Sequence, residues 1–288
     1  MRSTNVSVGV FAYNEERGII ACLDSIFAGG LGRAIDVHVL VNGCTDRTAD
    51  IVANYAASHS GVHVHVIGLG DKTNAWNLYI HEFCSAARVH IFVDGDVQVR
   101  SGSLAIMAQA LEDNSSANAS TAIPDSGRNS GDWLSLIVDD HGLAGNLYAL
   151  RGEFVDRIRA AKIKLPVGLI GDDSWIGALA NFDLDIDRGW VKERTIVCTE
   201  ARFHYDSLQW YRPRDIKLYW RRRQRYAHRT WQNQCMKTHI HNGGMQTLPI
   251  EVNDLYRTYP HLLRLTWKGV DTLFLWLALR KIRACLVA

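Results

Sequence analysis

The sequence predicts an α/β protein: a doubly wound, mostly parallel sheet with helices on both faces, continued by a helical C-terminal extension. Three observations carry that expectation. Short apolar runs rich in β-branched and aromatic residues recur at 6–13, 36–41, 62–67 and 89–97, the pattern of strands buried on both faces. Helical runs separate them, so each strand is followed by the crossover that a parallel neighbour requires. Each apolar run also stops at a polar loop, which puts functional side chains at the carboxyl edge of the sheet, where open α/β sheets bind ligands.

Val6-Ser7-Val8-Gly9-Val10-Phe11-Ala12-Tyr13 is the first strand. Asn14 is then expected to cap a helix over 18–28, with Glu15 and Glu16 favourable in its first turn. The second strand runs into Asn42-Gly43-Cys44-Thr45-Asp46-Arg47-Thr48 and a helix over 49–58. The third precedes Gly68-Leu69-Gly70-Asp71-Lys72-Thr73-Asn74 and a helix through Phe83. The fourth, Val89-His90-Ile91-Phe92-Val93, meets Asp94-Gly95-Asp96. A helix over 101–113, a polar turn over 114–118 and a short strand over 119–123 follow. Residues 124–133 hold Gly, Ser, Asn and Asp without periodicity and read as a mobile loop near the site.

Order resumes at 143–150 and 154–161, and Gly171-Asp172-Asp173 leads into a helix over 174–180. There an acidic pair suits the helix dipole, and either carboxylate could be a plain N-cap. A late strand over 196–204 ends at His204. Residues 215–232 form a basic helix in which Trp220, Tyr226 and Trp231 interleave with arginines. That suits a groove that holds phosphates and stacks a ring, although a solvated charged face is the plainer reading. From Leu248 onward apolar and basic residues alternate. This tail has three candidate partners: its own domain, a second subunit in a homo-oligomer, or a membrane surface.

The totals narrow the class. A chain of 288 residues with 47% hydrophobic and 22% charged residues is an ordinary globular protein, and a net charge of +2 gives no reason to expect nucleic acid as a partner. Six cysteines without C-x-x-C spacing suit a reducing cytosol rather than a disulfide framework. No apolar leader precedes the first strand, and the longest membrane-like stretch, 272–279, is far below the ~20 residues of a spanning helix. A cytoplasmic protein is expected, at most peripheral at the inner face of a membrane.

Asp94-Gly95-Asp96 is where chemistry concentrates. Residues i and i+2 share a side of an extended chain, and Gly95 between them leaves room for a ligand. Two carboxylates so placed repel unless a cation intervenes, and hard oxygen ligands suit Mg²⁺ or Mn²⁺, which in turn partner phosphate oxygens. Taken alone, the tripeptide is also what a turn after a strand looks like.

Together, Val8-Gly9-Val10-Phe11-Ala12-Tyr13-Asn14-Glu15-Glu16, Val41-Asn42-Gly43-Cys44-Thr45-Asp46-Arg47-Thr48, Lys72 with Asn77, Val93-Asp94-Gly95-Asp96 and Gly171-Asp172-Asp173 resemble the family 2 glycosyltransferases over about residues 6–230. The resemblance implies a GT-A fold and an inverting, divalent-metal-dependent transfer of one sugar from a nucleotide-sugar donor, with a UDP-sugar favoured. The acceptor would be a hydroxyl on a glycan, a lipid-linked compound or a small molecule. It implies that Ala12, Tyr13 and Glu15 line the nucleotide pocket, that Asn42 reads the base, and that Lys72 lies near base or phosphate. Asp94 with Gly95 would lie near the ribose, Asp96 on the metal as the DXD motif, and His204 would complete the metal site. Asp173 would be the general base and Asp172 a supporting acid or acceptor contact.

The transferase domain would occupy 1–230, with a nucleotide half at about 1–113 and an acceptor half at about 114–230, and 231–288 would be the amphipathic extension. Polysaccharide synthases carry a Gln-x-x-Arg-Trp signature; Arg223-Gln224-Arg225-Tyr226 stands there instead, which points to a single transfer. A nucleotidyltransferase would show a basic Gly-rich loop after the first strand, where this chain has the acidic Asn14-Glu15-Glu16. A silent nucleotide-binding protein would have no need of Asp94, Asp96 and Asp173 together.

Overall fold

The structure is a computed structural model that describes residues 4–29, 35–125, 137–139, 141–205 and 213–287. Three strand–helix units and a fourth strand come first: β1 (Thr4–Ala12), α1 (Ile19–Phe27), β2 (Ile35–Asn42), α2 (Thr48–Ser58), β3 (Val62–Ile67), α3 (Lys72–Leu78) and β4 (Ala87–Asp94). A π-helical turn over Tyr79–Phe83 extends α3. The second half supplies β5 (Val97–Val99), α4 (Ser103–Asp113), β6 (Ala119–Pro124), β7 (Leu147–Arg151), α5 (Gly152–Ala160), α6 (Asp172–Asn181) and β8 (Thr195–Tyr205). Three helices close the chain: α7 (Pro213–Gly243), α8 (Val252–Thr258) and α9 (Asp271–Val287). Most of the loop expected over 124–133 lies outside the described residues.

All eight strands join one sheet in the order β3-β2-β1-β4-β7-β6-β8-β5. The first four are parallel, and their registers pair Ala12 with Val41, Asn42 with Ile67, and Phe11 with Asp94. Four carboxyl ends therefore reach one edge together. Beyond β4 the sheet is mixed, with β7 antiparallel to β4 and Val93 opposite Leu147. Because β7 runs the other way, the residues just before it, Gly145 and Asn146, return to that same edge.

The period of two is plain in the packing. Val10, Ala12, Val39, Val41, Ile91 and Val93 face one core with α1, α2 and α4, whereas Phe11, Leu40 and Phe92 face the other with α3, α5, α6 and α7. On that second face Phe11 stacks on Phe92 (6.1 Å), and Phe92 on Tyr148 (4.7 Å).

Several local expectations are corrected. Asn14 does not cap α1, whose N-cap is Gly18; Asn14 takes a left-handed backbone (φ 57°), and its side chain accepts from the Thr45 N–H at 2.8 Å. An Asn tolerates that conformation, and the bond it makes ties two loops instead of starting a helix. The run at 89–97 is two strands: β4 ends at Asp94, and Val97 begins β5 at the far edge of the sheet. Helix α6 begins at Asp172 with Gly171 (φ 79°) as its N-cap, so neither aspartate holds that position. That positive φ is what favours glycine there, and a Cβ would also lie 2.4 Å from Arg229 Cζ.

Candidate active site

The loops after β1, β2 and β3 interlock before any ligand is considered. Asn14 Oδ1 holds Thr45, the Glu15 N–H donates to Thr48 Oγ1 at 2.8 Å, and the Glu16 N–H to Asp46 Oδ2 at 3.1 Å. Gly43 (φ 64°) and Gly70 approach so closely that a Cβ on Gly43 would sit 2.4 Å from Gly70 Cα. Asn42 is buried, and its Oδ1 accepts the Asp71 N–H at 3.0 Å, so this side chain joins the second loop to the third. Ala12 is buried against Gly95, where a Cβ would meet Ala12 Cβ at 3.3 Å; Tyr13 is exposed and edges Gly70.

Beside these loops the site's charges gather around Lys72, at the start of α3. Its Nζ is 2.5 Å from Asp94 Oδ1, donates to Gly145 O at 3.1 Å and lies 5.4 Å from the centre of the Phe11 ring. Asn146 Nδ2 donates to Asp94 Oδ2 at 3.3 Å, and the Asp94 N–H to Asn146 O at 3.0 Å. Gly145 also abuts the proposed base: a Cβ there would be 2.9 Å from Asp173 Cβ. On its other side Asp173 has Arg229 of α7, with NH2 3.9 Å from Oδ1 and 2.5 Å from Ser174 Oγ. Lys72, Asp94, Gly145, Asp173 and Arg229 are thus contiguous. Asn77, by contrast, is structural, bonded through both amide atoms to the Leu165 backbone.

The electrostatics follow from this crowding. Burial pushes Glu15 up to about 7, with the charges of Asp96, Asp94 and Asp46 adding to the shift. Asp94 rises to about 6 through burial, partly offset by Lys72 and reinforced by Asp96. Burial opposes the Lys72 charge, but Asp94, Asp172 and Asp173 outweigh it and hold the ammonium above its ordinary value. Asp173 is raised by burial and by Asp172, while Arg229 and Lys72 pull it back. Asp172 Oδ2 is buried without a hydrogen bond among the described residues.

Among the described residues no group of three His, Cys, Asp or Glu side chains is gathered to hold a metal ion. Asp96 is exposed beside Asp94, and a Mg²⁺-like ion commonly takes one or two carboxylates and completes its shell with phosphates and water. The pair fits an ion that arrives with a diphosphate. His204 lies opposite Gln98 across the β5–β8 pairing, two positions beyond Asp96, with Nδ1 3.4 Å from Asp125 Oδ1. Tyr205 next to it is raised by burial, eased by Arg222 and raised further by Asp96, so the basic face of α7 reaches this corner.

Sequence reasoning did not single out Gly145 and Asn146, and took Arg229 only as one of many arginines. No local signal marks the first two, because an antiparallel return brings them in.

Residues 7–167 match the family described as glycosyl transferase family 2. No curated protein sequence matches the chain. Among solved structures, the chain is similar to the mannosyltransferase PcManGT from Pyrobaculum calidifontis in complex with GDP-Man and Mn²⁺, at 18% identity over 99% of this chain and 75% of that one, with a TM-score of 0.62. It is also similar to S. aureus TarS 1–349 in complex with UDP-GlcNAc, at 14% identity over 98% and 71%, TM-score 0.55. A third is the Mycobacterium tuberculosis glucosyl-3-phosphoglycerate synthase with Mn²⁺, UDP-Glc and phosphoglyceric acid, at 19% identity over 73% of each chain, TM-score 0.50. At such identities the likeness shows the fold, a mixed, mostly parallel sheet of the GT-A kind.

Proposed function

The chain belongs to glycosyl transferase family 2, and from that premise we propose that it is an inverting enzyme that moves one sugar from a nucleotide-sugar donor, a UDP-sugar by preference, to a hydroxyl acceptor with the help of Mg²⁺ or Mn²⁺. The observation that carries this reading is the single row Asp94–Lys72–Gly145–Asp173, which joins the acidic end of β4 to the start of α6.

On the donor side, Tyr13, Glu15 and the interlocked loops around Asn42 and Gly70 would receive the nucleoside at the sheet edge. Asp96, with Asp94 beside it, is the group to hold the divalent ion, which when bound supplies Lewis-acid stabilisation to the departing diphosphate. Lys72 fixes the Asp94 carboxylate and adds a positive charge near the leaving group. Arg222 of α7 is a second cation at that corner.

On the acceptor side, Asp173 takes the hydroxyl proton while the acceptor oxygen bonds to the anomeric carbon and the carbon–oxygen bond to the diphosphate breaks. One in-line displacement inverts the centre. A raised pKa makes this carboxylate a stronger base than an exposed aspartate, and Arg229 keeps it oriented and ionised. Asp172 Oδ2, buried without a donor among the described residues, would accept from a second acceptor hydroxyl and so relieve an unmet bond worth about 1–3 kcal/mol.

The test is Asp173→Asn, assayed for transfer from UDP- and GDP-sugars. Transfer should fall by ~10²–10⁴-fold while nucleotide affinity stays within a few-fold; full activity in this variant would reject Asp173 as the base.

A further inference from the structure

One outward surface of the molecule has no place in the transfer reaction. Helix α9 packs on the rest of the protein through Phe274, Leu275, Ala278, Leu279 and Ile282, all buried. Leu273, Trp276, Arg280 and Arg283 lie on its other side, at the i, i+3, i+7 and i+10 spacing of one outward stripe, and all four are exposed. The chain just before the helix adds two more exposed apolar side chains. Trp267 is 85% exposed and Val270 78%, against 49% for Leu273 and 45% for Trp276. Four large apolar side chains within ten residues of chain, two of them tryptophans, are thus exposed to water.

Charge decides what could cover them. Residues 259–288 carry Arg264, Lys268, Arg280, Lys281 and Arg283 against the single acid Asp271, and the Asp271 carboxylate is engaged by Arg223 of α7 at 2.5 Å. Arg280 lies over the Trp276 ring, 5.6 Å from its centre, so cation and indole occupy one level. No helix among the described residues is long and apolar enough to cross a membrane. Lys281 turns to Gln224 of α7, so a second copy of this face would bring the other four cations against four, which disfavours self-association.

We propose that this face docks the protein on an anionic lipid surface, with Trp267, Val270, Leu273 and Trp276 entering the interface and Arg264, Lys268, Arg280 and Arg283 meeting the lipid phosphates. Trp and basic residues around exposed aliphatics are the composition of an interfacial element. The proposal stands apart from the transfer reaction, since none of these residues touches Lys72, Asp94 or Asp173.

Flotation of the full chain with vesicles of phosphatidylcholine, alone or with phosphatidylglycerol, tests it. Binding is expected only with the anionic lipid and should fall at least about tenfold on raising salt to 0.5 M. Trp267→Ser/Trp276→Ser and Arg280→Glu/Arg283→Glu should each weaken partitioning by about 20-fold or more, with melting temperature and nucleotide affinity unchanged. No flotation with either vesicle, or equal salt-insensitive binding to both, would overturn the proposal. So would a dimer in sedimentation that the double serine variant splits, because the face would then belong to a second copy.

Discussion

At the scale of single residues the site is an accumulation of acid that the apoprotein tolerates. Glu15, Asp94 and Asp96 stand together at the sheet edge, and Lys72 is committed to Asp94. Glu15 shows the consequence. Its folded pKa of about 7 lies above its unfolded value of ~4.3, so the folded state resists ionisation; the penalty is fully present above pH 7 and disappears as pH falls below ~4.3. Glu15→Gln should therefore stabilise the ligand-free protein by about 2 kcal/mol at pH 8, a gain of roughly 4 °C in melting temperature, and lose that advantage by pH 4. Melting curves across that range decide the point, and an advantage independent of pH would place its origin elsewhere. A divalent ion held as proposed above would relieve that repulsion.

Among elements, α3 does the most to position the site, and Asp71 does the most to position α3. Its Oδ1 accepts the Asn74 N–H at 2.7 Å as an N-cap, and its Oδ2 accepts the Gly168 N–H at 2.9 Å, so one carboxylate starts the helix that carries Lys72 and anchors the segment leading to α6. Asp71→Ala should cost about 2 kcal/mol in chemical denaturation, and Asp71→Asn, which keeps one acceptor oxygen, clearly less. Equal losses in the two variants would mean that charge, not capping, is what matters. The helix after Asp71 was expected from the sequence, but its cap was not singled out there. Nor was the second bond of Asp71, since Gly168 reaches it only through the packing of α6 and α7. The same contrast holds for Asn14, whose place before a helix suggested a cap and whose side chain serves a neighbouring loop instead.

Across the whole molecule, one sheet of eight strands among the described residues joins a parallel half that holds the residues proposed to bind the donor to a mixed half that delivers Gly145, Asn146 and His204. A ligand that bridges Asp96 and the loops after β1 and β2 draws on that shared framework. A nucleoside diphosphate with Mn²⁺, at about 100 times its dissociation constant, should add about 2.7 kcal/mol and raise the melting temperature by roughly 5 °C, and either component alone much less. Differential scanning calorimetry reads this directly, and a shift that needs no metal would remove the ion from the donor site.

The sequence by itself determined the parallel core, the loops at its carboxyl edge and the family, because strand period, β-branched runs and loop motifs are properties of neighbouring residues. It also marked Asp94, Asp96, Lys72 and Asp173 as chemistry-bearing. Only the tertiary structure decided that Lys72 locks onto Asp94, that Gly145 lies between Lys72 and Asp173, that Arg229 rests on Gly171 and that Trp267 and Trp276 face outward. Those pairings depend on an antiparallel strand inserted beside β4 and on helices crossing from the far end of the chain. Long-range register sets both, and no local periodicity encodes it.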